Sequence, residues 1–189
     1  MRADATRKRE QVVAATADEL AELAVAARAG EPVHLSLDRV AARARVGVAT
    51  LYRHFPTREA LLTAVYHQEL GRLCDAAPEL ATAGPADEAL LAWMHRYLDF
   101  VDSKRAMGVS LRAIVASGAV TQSDTRSRLA GAIAHFLHAG VAAGTLRSGV
   151  PADDVVAAMA GAAITAAPEE QREQAERLLD LLLDGLRPR

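Results

Sequence analysis

Cysteine occurs once in the 189 residues, at Cys74. A single thiol excludes an intramolecular disulfide framework, and an N-terminus without the pattern of a secretory signal points to the reducing cytoplasm. Aromatic residues make up only 4% of the chain and no alternating strand pattern occurs, which argues against a sheet-built core. The glycines are scattered singly, so there is no phosphate-cradling loop. No nucleophile stands in a recognisable pattern with a base, and no catalytic residue is assigned. His135 and His138 share a helix face three residues apart, but no carboxylate or cysteine accompanies them, so no metal or other cofactor is expected. The sole Glu-x-x-His match, Glu31 to His34, falls in an expected loop and cannot build a di-iron bundle. Residues 129–146 carry no charge and approach the length of a membrane span, yet they mix two histidines and several glycines with alanine. A buried helix fits them better than a membrane crossing.

What is abundant is alanine, within a chain that is 51% hydrophobic and 24% charged. Alanine-rich periodic segments predict an all-α fold of about nine closely packed helices. Helix one is expected from Thr6 to Arg28, with Val13, Leu20, Leu23 and Ala27 inward and Gly30-Glu31-Pro32 ending it. Ser36 can cap a short second helix whose inner face carries Leu37, Val40, Ala41 and Ala44. Arg45-Val46-Gly47 then breaks the periodicity. A third helix from Val48 to Phe55 buries Leu51 and Phe55 and leaves Val48, Ala49, Thr50, Arg53 and His54 outward. Pro56 closes it, and Thr57 caps a fourth helix with Glu59 in its first turn. Two short helices joined by a tight turn, the second with a polar outer face, have the geometry of a helix-turn-helix that meets a DNA major groove.

At Val46-Gly-Val-Ala-Thr-Leu-Tyr-Arg-His-Phe-Pro-Thr-Arg-Glu-Ala-Leu-Leu62 the sequence resembles the tetracycline-repressor-like (TetR) family of transcriptional regulators. The resemblance is specific over about residues 8–66 and architectural beyond. It implies a three-helix DNA-binding domain over residues 1–56 and a helical effector-binding and dimerisation domain over residues 57–189. It further implies phosphate contacts from Tyr52, Arg53, His54 and Arg58. Ser36, Arg45, Gly47, Val48, Ala49 and Thr50 complete the expected DNA-facing set. Two positions depart from the family pattern. Arg45 stands where the turn usually has glycine, and Ala49 where glycine or lysine is common. Arg45 is therefore expected to carry the left-handed backbone of the turn.

Charge is distributed to match. Residues 1–55 hold nine Arg/Lys against seven Asp/Glu, a balance of +2 in a chain whose net charge is −2. A basic head on an acidic body suits contact with nucleic acid through one end. Arg7-Lys8-Arg9 either reaches phosphate or forms a solvated helix start.

Further helices are expected from Thr57 to about Ala76, Asp87 to Ser103, Met107 to Ser117, Ser123 to Ala143, Ala152 to Ala166 and Pro168 to Leu186, with residues 77–85 read as a breaker-rich connection. The large apolar residues Trp93, Met94, Tyr97, Phe100, Met107, Leu111, Ile114, Phe136 and Met159 are the expected effector lining, and they favour an apolar or aromatic small molecule. The bland alternative is that they only fill the core. In the last helix Leu178, Leu179, Leu181, Leu182, Leu183 and Leu186 surround more of its circumference than one neighbour covers. With the small Ala158 and Ala162 of the preceding helix, they are the expected homodimer face. The function expected is a repressor bound to a palindromic double-stranded operator and released by the effector. The alternative is a helical DNA-binding protein without an effector, acting architecturally or through a protein partner.

Overall fold

The structure, a computed structural model, describes residues 2–28, 31, 33–165 and 171–188. The described residues form ten helices and no strand. The chain divides into two compact units. One comprises Met1–Glu69 with Asp102–Val120, and the other Leu70–Val101 with Thr121–Arg189. The compact unit at the N-terminus thus runs past the expected boundary at residue 56 and takes in a later segment.

In the first unit, α1 (Arg2–Arg28) packs on α2 (Leu37–Arg43) and α3 (Val48–His54). The spacing of apolar residues dictates the contact. Val12, Val13, Leu20 and Leu23 of α1 meet the buried set of Val40, Ala41, Ala44, Leu51 and Phe55. Ala27, expected inward as well, is exposed. Ser36 caps α2 by accepting from the Arg39 N–H at 3.3 Å, and Thr57 caps α4 (Arg58–Asp75) by accepting from the Ala60 N–H at 3.0 Å. The unit also holds the end of α6 (Ala86–Ala106) and all of α7 (Val109–Ala116).

The turn between α2 and α3 closes α2 as a Schellman motif. The Val46 N–H donates to the Ala41 carbonyl at 3.0 Å and the Arg45 N–H to the Ala42 carbonyl at 3.1 Å. This motif needs a left-handed residue, and Arg45 supplies it at φ 54°. A side chain there costs about 1 kcal/mol relative to glycine.

Among the described residues, one charged side chain lies in the core of this unit. Glu19 of α1 is 0% exposed. Its Oε1 lies 3.1 Å from Nε of Arg39 and its Oε2 3.7 Å from a guanidinium nitrogen of Arg43, both on α2. Neither carboxylate oxygen accepts an aligned hydrogen bond, so the attachment is Coulombic. Glu22, one turn further along α1, binds the same two guanidiniums at 3.5 and 2.7 Å.

The second unit contains the end of α4, α5 (Ala77–Ala83), most of α6, α8 (Gln122–Ala143), α9 (Ala152–Thr165) and α10 (Gln171–Leu186). α8 packs on α5 and α9, and α9 on α10. The stretch read as a breaker-rich connection is helical because Pro78 falls in the first turn of α5, where a missing N–H costs no intrahelical bond. That helix brings the count to ten. Ala166 and residues 168–170, expected at the facing ends of the last two helices, lie outside the described residues. Leu90, Trp93, Met94, Ile133, Phe136 and Met159 fill the centre. Gly140 permits a close approach, since a Cβ there would stand 2.5 Å from Leu146, whose buried side chain folds back over α8. At its two ends α10 is stapled to α6 by Arg172 to Asp99 at 2.7 Å and Arg187 to Asp87 at 2.9 Å.

Two outcomes follow for the first unit. Arg45→Gly should leave the fold intact and raise its thermal midpoint or leave it unchanged, whereas a marked fall in a thermal melt would show that the Arg45 side chain stabilises the turn. For the ion cluster, Arg39→Ala/Arg43→Ala should lower the midpoint by about 5–10 °C, because a carboxylate is left buried and unpaired. Glu19→Gln should destabilise the native protein yet stabilise that double variant; equal effects in both backgrounds would show that no clamp exists.

Candidate nucleic-acid interface

α3 is seven residues long, with Gly47 in extended conformation at its N-cap and no side chain capping it. Burial of Leu51 and Phe55 turns the opposite face to solvent. Val48 is 38% and Tyr52 48% exposed; Gly47, Ala49 and Arg53 are exposed and Thr50 and His54 half-buried. This face combines a hydroxyl, a phenol, a guanidinium and an imidazole with small apolar groups. Polar groups of these kinds suit phosphate oxygens, and the methyl groups of Val48 and Ala49 suit thymine methyls at base edges.

The remaining members of the expected set have structural duties. Ser36 is occupied as the cap of α2. Arg45 is exposed at the left-handed position of the turn. Arg58 donates to the Leu35 carbonyl at 2.7 Å, tying the start of α4 to the segment before α2. Arg53 donates to the Thr50 hydroxyl at 2.7 Å, one turn back along α3. Of the basic run near the N-terminus, Arg9 stacks 4.9 Å from the centre of the Phe55 ring, fastening α1 to the end of α3.

Sequence reasoning missed one part of this surface. α1 starts at Arg2, ahead of the expected Thr6, and the added turn sets Asp4, Ala5 and Lys8 around a cleft with Thr50, Arg53 and His54. Asp4 accepts from Arg7 at 2.7 Å and pairs with Lys8 at 2.8 Å. These two contacts hold its carboxyl below the usual range, the Lys8 contact contributing most. The acidic residue at the i−3 and i−4 positions of the basic run was the available signal.

The expected effector residues divide between the units. Trp93, Met94, Tyr97, Phe100, Phe136 and Met159 are buried in the second, where Trp93 and Phe136 have ring centres 5.8 Å apart. The Trp93 indole N–H donates to the Leu73 carbonyl at 2.7 Å. Met107 and Ile114, buried, and Leu111, half-buried, lie in the first unit. The expected dimer residues also divide. Leu179, Leu183 and Leu186 are buried within the protomer, as is Ala162, because their spacing points them onto the α9 side. Leu178 and Leu182 are half-buried, and Ala158 is exposed beside Leu182 in a surface groove. Leu181, on the same leucine-rich helix, is 67% exposed. Among the described residues no helix is long and apolar enough to cross a membrane.

Residues 29–65 match the family described as bacterial regulatory proteins, tetR family. Residues 85–188 match the C-terminal domain of SbtR-like transcriptional regulators. No curated protein matches the chain significantly. Among solved structures, a TetR transcriptional regulator from Streptomyces coelicolor is 44% identical with a TM-score of 0.79, over 95% of this chain and 98% of that one. A TetR transcription regulatory protein from Mycobacterium vanbaalenii is 28% identical with a TM-score of 0.70, over 99% of both chains. SmeT, the repressor of a Stenotrophomonas maltophilia multidrug efflux pump, is 17% identical with a TM-score of 0.57, covering 95% and 90% of the respective chains, and shares the fold. With the exposed face of α3 in the first unit and family matches over residues 29–65 and 85–188, the chain belongs to the TetR family of DNA-binding bacterial transcriptional regulators.

Proposed function

We propose that the protein is a ligand-responsive repressor, a cytoplasmic homodimer that grips a palindromic operator through two copies of α3 and is released by an apolar or aromatic small molecule. The observation that carries the reading is the outward face of α3, supported from behind by Leu51 and Phe55. Tyr52, Arg53 and His54 serve phosphates, while Val48, Ala49 and Thr50 set sequence preference. Two such faces must lie about 34–36 Å apart, or a multiple of that, to read one side of a duplex.

The effector reading rests on the second unit. Trp93 spends its only donor on the Leu73 carbonyl, so its ring offers apolar surface alone, and Met94, Tyr97, Phe100, Phe136 and Met159 surround the same core. A ligand among them acts by preferring one arrangement of the protein over another. Complete burial of Trp93, Met94 and Phe136 favours a second reading, in which this core holds no ligand and regulation runs through a protein partner.

Trp93 is the sole tryptophan, so its emission reports occupancy directly. Truncating it would cost about 3–5 kcal/mol of core packing and is a poorer probe. Anilinonaphthalene sulfonate and a panel of planar aromatic compounds, titrated against Trp93 emission, should include a binder whose affinity falls about 5–150-fold when a selected operator duplex saturates the protein. Equal affinity with and without duplex would exclude induction through this core, and no binder at all would favour the second reading.

For assembly, the residues open to a partner are Ala158, Leu178, Leu181 and Leu182. Ala158→Glu and Leu182→Glu should give folded monomers in size-exclusion chromatography with loss of tight operator binding. Leu179→Glu and Leu183→Glu should instead lose helicity, because both side chains sit in the protomer's own core. A folded dimer in the Leu182 variant would place the two-fold contact elsewhere.

A further inference from the structure

The cleft beside the recognition helix gathers groups of one chemical kind. Lys8, Arg53 and His54 provide an ammonium, a guanidinium and an imidazole, and Thr50 a hydroxyl. Together they form a donor set suited to a phosphate oxygen. Among the described residues lining the cleft the one anion is the Asp4 carboxylate. It accepts from Arg7 at 2.7 Å and pairs with Lys8 at 2.8 Å.

We propose that Asp4 is an internal competitor for the DNA backbone: its carboxylate occupies, in the free protein, the electrostatic place that a phosphate takes in the complex. This rests on the assignment of α3 as the DNA-facing helix. Its physical basis is short. Lys8 can bind a phosphate only by giving up or sharing Asp4, and a phosphate entering the cleft meets a negative charge that is not displaced. Both effects weaken attachment that depends on charge alone. Contacts to base edges from Val48 and Ala49, outside the cleft, are untouched by them. Asp4 therefore acts as a residue that lowers affinity for arbitrary DNA and so favours discrimination, at the expense of total affinity.

The competing role for Asp4 is positional, in which its contacts hold Lys8 and Arg7 in the orientation that DNA requires. The two roles predict opposite signs. Binding of the full-length protein to a fluorescently labelled duplex of arbitrary sequence is followed by anisotropy across a salt series, for the native chain, Asp4→Asn, Lys8→Ala and the Asp4→Asn/Lys8→Ala double variant. Competition predicts that Asp4→Asn tightens binding about five- to tenfold at 0.1 M salt and steepens the log–log salt slope by about one. It also predicts that adding Lys8→Ala removes most of that gain. Unchanged or weaker binding by Asp4→Asn, with the helical circular dichroism of the native chain, would overturn the proposal. A gain that survives Lys8→Ala would overturn the Lys8 exchange on which it depends. Failure of the native chain to bind duplex even at low salt would instead overturn the reading of α3.

Discussion

A seven-residue helix does not hold itself together in water, because the nucleation cost is not recovered over two turns. α2 and α3 are both of that length, and everything the protein does at DNA depends on keeping them in place. The interaction on which this depends is the buried Glu19 carboxylate under Arg39 and Arg43, with Glu22 on the same two guanidiniums at the surface. It is a long-range attachment of α2 to α1 at a point where the apolar contacts are small, Val40, Ala41 and Ala44. Alanine permits close approach but contributes little area, so charge supplies fixation that the sequence does not take from larger side chains. Once α2 is fixed, the Schellman turn at Arg45 and Val46 sets the direction in which α3 departs. Leu51, Phe55 and the Arg9 stack on Phe55 then hold the far end.

This chain of dependence explains which features can be read from the sequence. Ser36, Thr57 and the left-handed Arg45 act within a few residues of themselves, and local spacing announces them. The outward face of α3 is equally local, since Leu51 and Phe55 define its opposite. Glu19 is another matter. A glutamate on an amphipathic helix reads as solvated, and only the arrival of two arginines from another helix makes its burial tolerable. Arg58 reads from the sequence as a phosphate ligand alone, and its bond to the Leu35 carbonyl, 23 residues away, is not announced by local spacing. In the same way, leucines at 178, 179, 182, 183 and 186 read as one sticky surface. Only the position of α9 separates those that face the protomer's interior from those at its edge.

The second unit shows a similar division between what is packed and what is left open. Its aromatic centre is satisfied internally, with the Trp93 donor used and its ring against Phe136. Opening this centre means losing the contacts of fully buried large side chains, so it resists rearrangement. At the periphery, Arg172 and Arg187 fix both ends of α10 to α6 through Asp99 and Asp87. A helix held at its two ends keeps the half-buried Leu178 and Leu182 and the exposed Leu181 in fixed positions.

The same pairing governs how much charge the head can offer. Nine basic residues occur in the first 55, a number that suggests strong attachment to any duplex. Most of those whose side chains are described already have partners: Arg39 and Arg43 hold Glu19 and Glu22, Arg7 and Lys8 hold Asp4, Arg9 covers Phe55 and Arg53 meets Thr50. A cation paired with a carboxylate contributes less to counterion release than a solvated one, because part of its field is already compensated. The count of basic residues therefore overstates non-specific affinity. With charge largely committed to holding the head together, what stays open at the start of α3 is small and apolar: Gly47, Val48 and Ala49, all exposed.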